Sequence, residues 1–234
     1  MDGGRKRLSI CRMGRLFPLG IFTTLVKNKN PMKRSPIEVF SEWADLDKDF
    51  GMEENHKASV AHMLSYALKE LNSFSFIDAG CGNGWVVRQL SKNPNCQEAI
   101  GVDGSEKMIA KAKSIDPELK FYSANLMDWT PEKKVNLVHS MEVFYYLKDP
   151  QQLLSQIHNS WLQKGGRLII GLDFYEENTV SHNWPEQCGI TIMKLFSQSQ
   201  WEVFFKKAGF QLVESWRFGS KENWEGTLIV TGIK

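Results

Sequence analysis

The sequence contains few cysteines and no long apolar segment. Its four cysteines, Cys11, Cys81, Cys96 and Cys188, are far apart, so no C-x-x-C pair indicates a zinc or redox site. Free thiols of this kind are typical of a reducing compartment, and we expect the cytoplasm. The apolar segment at residues 16–26 has 11 residues and is interrupted by proline, glycine and threonine, whereas a membrane-spanning helix needs about 20. We therefore expect no membrane span.

Basic charge is scarce beyond the N-terminus. The net charge is +2, but residues 1–31 contain seven basic residues and one acidic residue, which leaves the rest at −4. A mildly acidic body argues against a broad nucleic-acid or anionic-membrane surface. Residues 1–34 are predicted to be a basic extension, either disordered or an organellar transit peptide for a mitochondrion or plastid.

After the extension, short β-rich runs alternate with helical periodicity. A capping box beginning at Ser35 and a second helix from about Glu53 predict an N-terminal helical cap over about residues 35–72. The predicted strands are residues 74–79, 99–102, 119–122, 135–140 and 167–172. The helices between them are residues 84–90, 105–114 and 149–162. This alternation predicts a parallel sheet with helices on both faces.

The end of the chain breaks the alternation. A helix at residues 199–208 precedes strands at residues 210–218 and 227–233, and only eight residues separate these strands. A parallel crossover needs about a dozen residues or more, so the last two strands are predicted to pair antiparallel. The expected fold is one α/β domain over residues 35–234 with a mostly parallel seven-stranded sheet.

The stretch FIDAGCGNGWVV places an acid and three glycines where the first predicted strand ends. Asp78 is followed by Gly80, Gly82 and Gly84, which admit positive φ and let a ligand approach the main chain. Asp103 closes the second strand 19 residues after Gly84, a spacing that suits a carboxylate holding the two hydroxyls of a ribose. The pattern predicts a site for an adenosine-like cofactor.

Two familiar nucleotide motifs are absent. The glycines follow the pattern G-x-G-x-G, whereas a dinucleotide fingerprint is G-x-G-x-x-G. No Walker lysine follows them, because Trp85, Val86 and Val87 occupy those positions. A nicotinamide dehydrogenase and a phosphate-binding loop are therefore both disfavoured.

Several motifs, in order, resemble those of the class I S-adenosylmethionine-dependent methyltransferases. They are DAGCGNG, GVDGS, FYSANLMDW, VNLVHSMEVFYYLKDPQQLL, WLQKGGRLIIG and FFKKAGFQLVE. The resemblance covers roughly residues 55 to 234. It implies a Rossmann-like, doubly wound sheet with an antiparallel last strand. It also implies S-adenosyl-L-methionine as cofactor and S-adenosyl-L-homocysteine as product.

The resemblance also implies which residues bind the cofactor. They are Asp78, Gly80, Cys81, Gly82 and Gly84 for the methionine portion, Asp103 for the ribose hydroxyls, Asn125 and Leu126 for adenine, and Ser140 and Met141 for the reacting methyl. Asn125 stands where the family often has an aspartate. An asparagine carbonyl can accept the same hydrogen bond from the adenine amino group.

The fourth-strand motif departs from one metal-binding variant of the family. Quinone-type O-methyltransferases carry S-x-E-V-x-E-H here, and only Glu142 matches a carboxylate, with Tyr145 and Tyr146 following it. Hard cations prefer carboxylate oxygens, so no metal is predicted. Tyr145 is a candidate for the acceptor pocket, or it packs in the core. His139 lies in an apolar strand and is expected to be a core histidine.

Two segments are candidate lids. Residues 173–198 form a loop of about 26 residues, a length that is usually functional, with Asp173, Tyr175, His182 and Trp184 as its chemically capable members. His182 is a candidate general base, although an exposed loop histidine is an alternative. Residues 42–56, whose candidate residues include Met52 and His56, are the second segment.

A small-molecule methyl acceptor is the expected substrate. A nucleic acid is not expected, because the body is acidic and SMEV occupies the place of the N/D-P-P-Y/F tetrad. The alternatives are an RNA or protein methyltransferase that acts with a partner, and a catalytically silent scaffold of the same fold.

Overall fold

A seven-stranded sheet forms the centre of the computed structural model, which describes residues 33–234. The predicted basic extension lies outside this range except for its last two residues. Within the described range, no helix combines the length and apolar character that a bilayer crossing requires.

The strands agree closely with the predicted runs. They are β1 Phe74–Ala79, β2 Cys96–Asp103, β3 Lys120–Ser123, β4 Val135–Met141, β5 Leu162–Leu172, β6 Gln211–Phe218 and β7 Thr227–Ile233. The helices are α1 Pro36–Asp45, α2 Phe50–Ala67, α3 Trp85–Ser91, α4 Glu106–Ile115, α5 Pro150–Gln156, α6 Trp184–Gln187 and α7 Gln198–Ala208.

The spatial order of the strands is β3-β2-β1-β4-β5-β7-β6. Strands β1 to β5 pair in parallel, and β7 lies antiparallel between β5 and β6. This confirms the prediction of a mostly parallel sheet with an antiparallel last strand. The order reverses between β1 and β4, where open α/β sheets bind ligands beyond the carboxyl ends of their strands.

Two helices begin at the capping boxes that the sequence contains. The Ser35 side chain accepts from the Glu38 N–H and the Glu38 carboxylate accepts from the Ser35 N–H, which starts α1. Ser197 and Gln200 make the same reciprocal pair at the start of α7. Each pair satisfies backbone donors that a helix start leaves unpaired.

The strand that follows the predicted helix at residues 149–162 begins earlier than predicted. α5 stops at Gln156, a π-helical turn follows over Ile157–Trp161, and β5 begins at Leu162, five residues before the predicted strand. The early part of β5 is held because Leu162 is the register partner of Val135 on β4. Gly165 N–H also donates to the Lys234 carbonyl.

Alternate residues of the central strands face two apolar cores. On one face, Phe76, Leu137 and Ile169 pack with residues of α2, α3 and α4. On the other face, Ile77 and Val138 pack with residues of α1, α5 and α7. The helices thus cover both faces of the sheet, as predicted, and the carboxyl edge of β1 and β4 remains available for a site.

Candidate active site

The turn after β1 carries three glycines in the left-handed region, with φ of 80° at Gly80, 52° at Gly82 and 80° at Gly84. A Cβ would lie 2.2 Å from Val143 at Gly80 and 2.5 Å from Phe121 at Gly84, but would meet nothing within 4 Å at Gly82. The first and last glycines are therefore required by packing against the protein. Gly82 instead leaves its main chain open to a ligand.

Asp103 ends β2 directly beside this turn. Its carboxylate accepts hydrogen bonds from the N–H groups of Gly82, at 2.9 Å, and Ser105, at 2.8 Å. Burial raises the pKa of Asp103, and these two donors act in the opposite direction. A carboxylate has about four lone-pair sites, so Asp103 can still accept from the hydroxyls of a ligand while fixing the turn.

Asp78 is buried and paired. Asp78 and His139 are register partners on β1 and β4, and His139 Nδ1 lies 2.7 Å from Asp78 Oδ1. His139 is fully buried, as the sequence predicts, and its Nε2 has no hydrogen-bond partner among the described residues. Next to it, the Ser140 hydroxyl donates to the Ala79 carbonyl at 2.7 Å. These contacts lock β1 and β4 together at the edge where the glycine turn begins.

A cleft opens at this edge of the sheet. Its walls include Asp78, the glycine turn from Gly80 to Asn83, and Met141 and Glu142 from the end of β4. Met52 and His56 of α2 complete it. The second predicted lid segment therefore does contribute to the cleft.

The helical cap is held to the glycine turn through Asp49. This residue is 1% exposed and accepts from Asn83 Nδ2 at 2.8 Å and from Lys111 Nζ at 2.7 Å. Asn83 belongs to the turn and Lys111 to α4. The start of α2 is thus fixed against both, which positions Met52 and His56 over the cleft.

The predicted adenine-binding residues lie after β3. Asn125 is exposed, and its side chain accepts from Met127 N–H at 3.1 Å and donates to Asp128 at 2.7 Å. Leu126 is buried. Neither residue lines the cleft around the glycine turn.

A second group of chemically capable side chains meets at the rear of the cleft. His56, Glu142 and Asp173 are all buried, and one ligand atom of each lies within 4.8 Å of the others. His56 Nε2 is 3.6 Å from Asp173 Oδ2. Glu142 accepts from Asp173 N–H and from the Tyr145 hydroxyl, each at 2.5 Å. Glu142 also has a φ of 62°, a conformation that is strained for a residue with a side chain.

Burial controls the ionisation of this group. It raises the pKa of Glu142 to about 8, with Asp173 adding to the rise and His56 and the Tyr145 hydroxyl opposing it. Desolvation lowers the pKa of His56, but the nearby carboxylate of Asp173, together with the charge of Glu142, outweighs it, so the pKa is raised. Glu142 therefore exchanges a proton near neutral pH, as a general base or acid must.

The two residues predicted to be catalytic occupy different environments. Tyr145 is fully buried, its hydroxyl bonds Glu142, and its ring packs on Phe174 with centroids 5.4 Å apart. His182 is exposed, and its Nε2 lies 2.9 Å from the Glu176 carbonyl oxygen. Neither lines the cleft, so the structure places Tyr145 behind Glu142 and His182 at the surface.

The sequence identified His56, Glu142 and Asp173 separately, in three different segments, and did not bring them together. The prediction of no metal considered only Glu142 with its neighbouring tyrosines. The signal available was that Glu142 and Asp173 each follow a strand, β4 and β5, whose carboxyl ends are adjacent in a parallel sheet. Nothing in the sequence indicated that α2 would bring His56 to the same edge.

Comparisons with known proteins agree with this geometry. A family model described as a methyltransferase domain matches residues 39–215. The trans-aconitate 2-methyltransferase of Agrobacterium fabrum is 31% identical over 93 residues, covering 40% of this chain and 36% of that protein. The chain thus matches well under half the length of this curated relative.

Among solved structures, a Haloferax volcanii methyltransferase in complex with the Trm112 methyltransferase activator is 27% identical, with a TM-score of 0.70. The alignment covers 86% of this chain and 98% of that one. The N-methyltransferase NodS of Bradyrhizobium japonicum, in complex with S-adenosyl-L-homocysteine, is 16% identical with a TM-score of 0.60 over 76% of this chain and 86% of that one. The NodS match shows a common fold.

Proposed function

The chain belongs to the methyltransferase-domain family, and from this premise we propose that it transfers a methyl group from S-adenosylmethionine to an oxygen, nitrogen or sulfur atom of a small molecule. The single observation that carries the proposal is the pairing of Asp103 with the open Gly82 main chain at the point where the strand order reverses.

The residues at this edge fit the cofactor. Gly82 has space where a side chain would stand, Asp103 retains lone pairs for ribose hydroxyls, and Asp78 offers a carboxylate to an ammonium group. When bound, S-adenosylmethionine supplies a methyl group that its sulfonium already activates. The proposed contacts with adenine fall to Asn125 and Leu126, and those near the methyl to Ser140 and Met141.

The main role of the protein is then to hold the acceptor and to orient its reacting atom toward the methyl group. Transfer to an activated methyl needs the acceptor atom about 3–3.5 Å away and aligned, and such positioning accounts for much of the rate enhancement. Met141 and Glu142, at the end of β4, share the cleft with the glycine turn, so an acceptor held there is next to the cofactor region. The names of the curated relatives support a small acceptor.

Calorimetric titration with S-adenosylmethionine, S-adenosylhomocysteine and NAD tests the cofactor assignment. Selective micromolar binding of the two sulfur compounds is expected. Binding of NAD alone, or of none of the three, would contradict the proposal and favour the scaffold alternative. Transfer of a labelled methyl group to components of a metabolite extract then tests catalysis.

A second candidate is that the enzyme works with a small activator protein. It is favoured by the Haloferax volcanii relative, which matches along 98% of its length at 27% identity and whose structure is a complex with Trm112. Co-expression of the full chain with that Trm112 tests it. Co-purification in a fixed ratio is expected, and separate elution of the two proteins would contradict it.

A further inference from the structure

We propose that His56, Glu142 and Asp173 form the acceptor site, and that this site takes a primary or secondary amine bound as its ammonium ion. The inference rests on the proposed function and specifies its substrate class.

The position of the cluster is the first argument. Glu142 follows β4 and Asp173 follows β5, and the two strands are paired up to Met141 and Gly171. Glu142 and His56 line the same cleft as the glycine turn. Two residues of the cluster therefore share the cleft with the glycine turn, where the cofactor is proposed to bind, and Asp173 contacts Glu142 behind the cleft wall.

The charge of the cleft is the second argument. Among the described residues that line it, the ionisable ones are Asp49, Asp78, Glu142, His56 and His139, with no lysine or arginine. Asp49 is already neutralised by Lys111. Acidic side chains thus outnumber lysine and arginine in the lining. The lining favours a cation once Glu142 is ionised and His56 is neutral, and a bound polycarboxylate would then meet Asp78 and Glu142 as like charges.

Unsatisfied polar atoms are the third argument. Asp173 Oδ1 and His56 Nε2 are buried without a hydrogen-bond partner in the described part of the chain, and their residues are 6% and 8% exposed. Buried polar groups are normally paired. An ammonium group carries up to three donors, which matches a site that offers carboxylate oxygens from Asp173 and Glu142.

The same cluster also contains a group that can accept the proton that the ammonium loses. An ammonium has no lone pair, so it must lose one proton before it reacts. In the balanced reaction that proton goes to the Glu142 carboxylate and the neutral nitrogen forms the new N–C bond. The C–S electron pair remains on sulfur. The raised pKa of Glu142, about 8, supports this role because its proton affinity is close to that required at neutral pH.

A divalent metal is the competing occupant, since one nitrogen and two carboxylates converge here. Both Glu142 oxygens accept one hydrogen bond from the fold, and each keeps a lone pair for either an ammonium N–H or a metal ion. The experiment below separates the two.

The test uses the full chain and a metabolite extract separated by ion exchange into cationic, neutral and anionic pools. Each pool is dialysed to equilibrium against the protein with S-adenosylhomocysteine present, and retained compounds are identified by mass spectrometry. In parallel, each pool is incubated with labelled S-adenosylmethionine, with and without EDTA. We expect retention and label transfer in the cationic pool, unchanged by EDTA.

Three variants test the contributions of individual acidic residues to acceptor binding. Glu142→Gln and Asp173→Asn should each lower retention of the cationic compound at least tenfold, while S-adenosylhomocysteine affinity changes less than twofold. Glu118→Gln removes an exposed acid in the segment before β3 and should change neither. Intact S-adenosylhomocysteine binding shows that a variant is folded.

The outcomes are distinguishable. Transfer confined to the anionic or neutral pool would overturn the amine inference and leave the proposed function standing. Loss of transfer with EDTA, restored by Mg²⁺, Mn²⁺ or Zn²⁺, would make the cluster a metal site and also overturn the inference. Absence of transfer in every pool, with S-adenosylhomocysteine still bound, would contradict the proposed function itself.

Discussion

Individual carboxylates in this protein differ in what they do because they differ in their partners. Asp103 accepts two backbone N–H groups and keeps lone pairs for a ligand, whereas Glu142 is buried beside another acid and holds its proton more tightly. We therefore propose ligand recognition for Asp103 and proton exchange for Glu142. Each assignment can be tested by one substitution.

Asp103→Ala should weaken binding of S-adenosylhomocysteine about 10- to 100-fold, since hydrogen bonds to a charged group contribute roughly 1.5–3 kcal/mol. Calorimetry measures the change. Asp103→Asn keeps one acceptor oxygen for the N–H groups of the turn, so it should lose less affinity for S-adenosylhomocysteine than Asp103→Ala. The exposed-site variant Glu118→Ala is the control, and an unchanged affinity in Asp103→Ala would contradict the ribose assignment.

Glu142 should make folding stability depend on pH. Its pKa is raised from 4.5 to about 8, so the folded protein keeps a proton that the unfolded chain releases. The contribution is present in full below about pH 4.5 and is lost as the pH rises to about 8. The raised pKa of His56 acts in the same direction.

Urea unfolding at about pH 5 and about pH 8 measures this effect. The Glu142→Gln variant should lose less stability over this range than the wild type, by roughly 1–3 kcal/mol. Asp173 and Tyr145, which face Glu142, are unchanged in the comparison. Identical pH profiles for the two proteins would show that Glu142 titrates normally.

At the scale of elements, the α1–α2 cap is joined to helix α4 by ionic contacts of unequal burial. Lys111 of α4 bonds Asp49, which is buried, while Lys107 of the same helix pairs with Asp45, which is exposed. Buried pairs leave an uncompensated group when one partner is removed, and exposed pairs do not. The Asp49 contact should therefore hold the cap in place.

Asp49→Ala should destabilise the protein by about 3 kcal/mol and increase amide exchange in the first turns of α2. Asp45→Ala, the matched control, should cost less than about 1 kcal/mol. Denaturant unfolding and hydrogen exchange by mass spectrometry measure both. Equal effects of the two substitutions would contradict the role assigned to Asp49.

At the scale of the whole molecule, the last strand of the chain lies inside the sheet. β7 pairs with β5 on one side and β6 on the other, and its residues pack into both cores. β7 is therefore hydrogen-bonded along both edges and packed on both faces. This makes β7 a stability determinant despite its position near the chain end.

Ile229→Ala in β7 should cost about 2–5 kcal/mol, because Ile229 is fully buried. Leu212→Ala in the neighbouring β6 should cost less than about 0.5 kcal/mol, because Leu212 is 72% exposed. Urea denaturation compares them. A small loss for Ile229→Ala would show that β7 is not required for the packing of the cores.

The sequence by itself determined the strand and helix pattern, the antiparallel end, the glycine turn and the position of Asp103 at the end of the second strand. These features depend on local periodicity, on loop length and on φ angles that glycine adopts readily. The early start of β5 was not predicted, because it depends on pairing between strands. Ile157, Trp161 and Leu162 have helical spacing, and register pairing with Val135 on β4 makes Leu162 part of a strand.

Only the tertiary structure decided the composition of the acceptor side. His56, Glu142 and Asp173 are distant in sequence and become neighbours because β4 and β5 end at the same edge and Asp49 holds α2 above it. Packing likewise placed Tyr145 behind Glu142 rather than in the cleft. Local sequence preferences specify elements, whereas convergence of side chains depends on strand order and on how the helices cover the sheet.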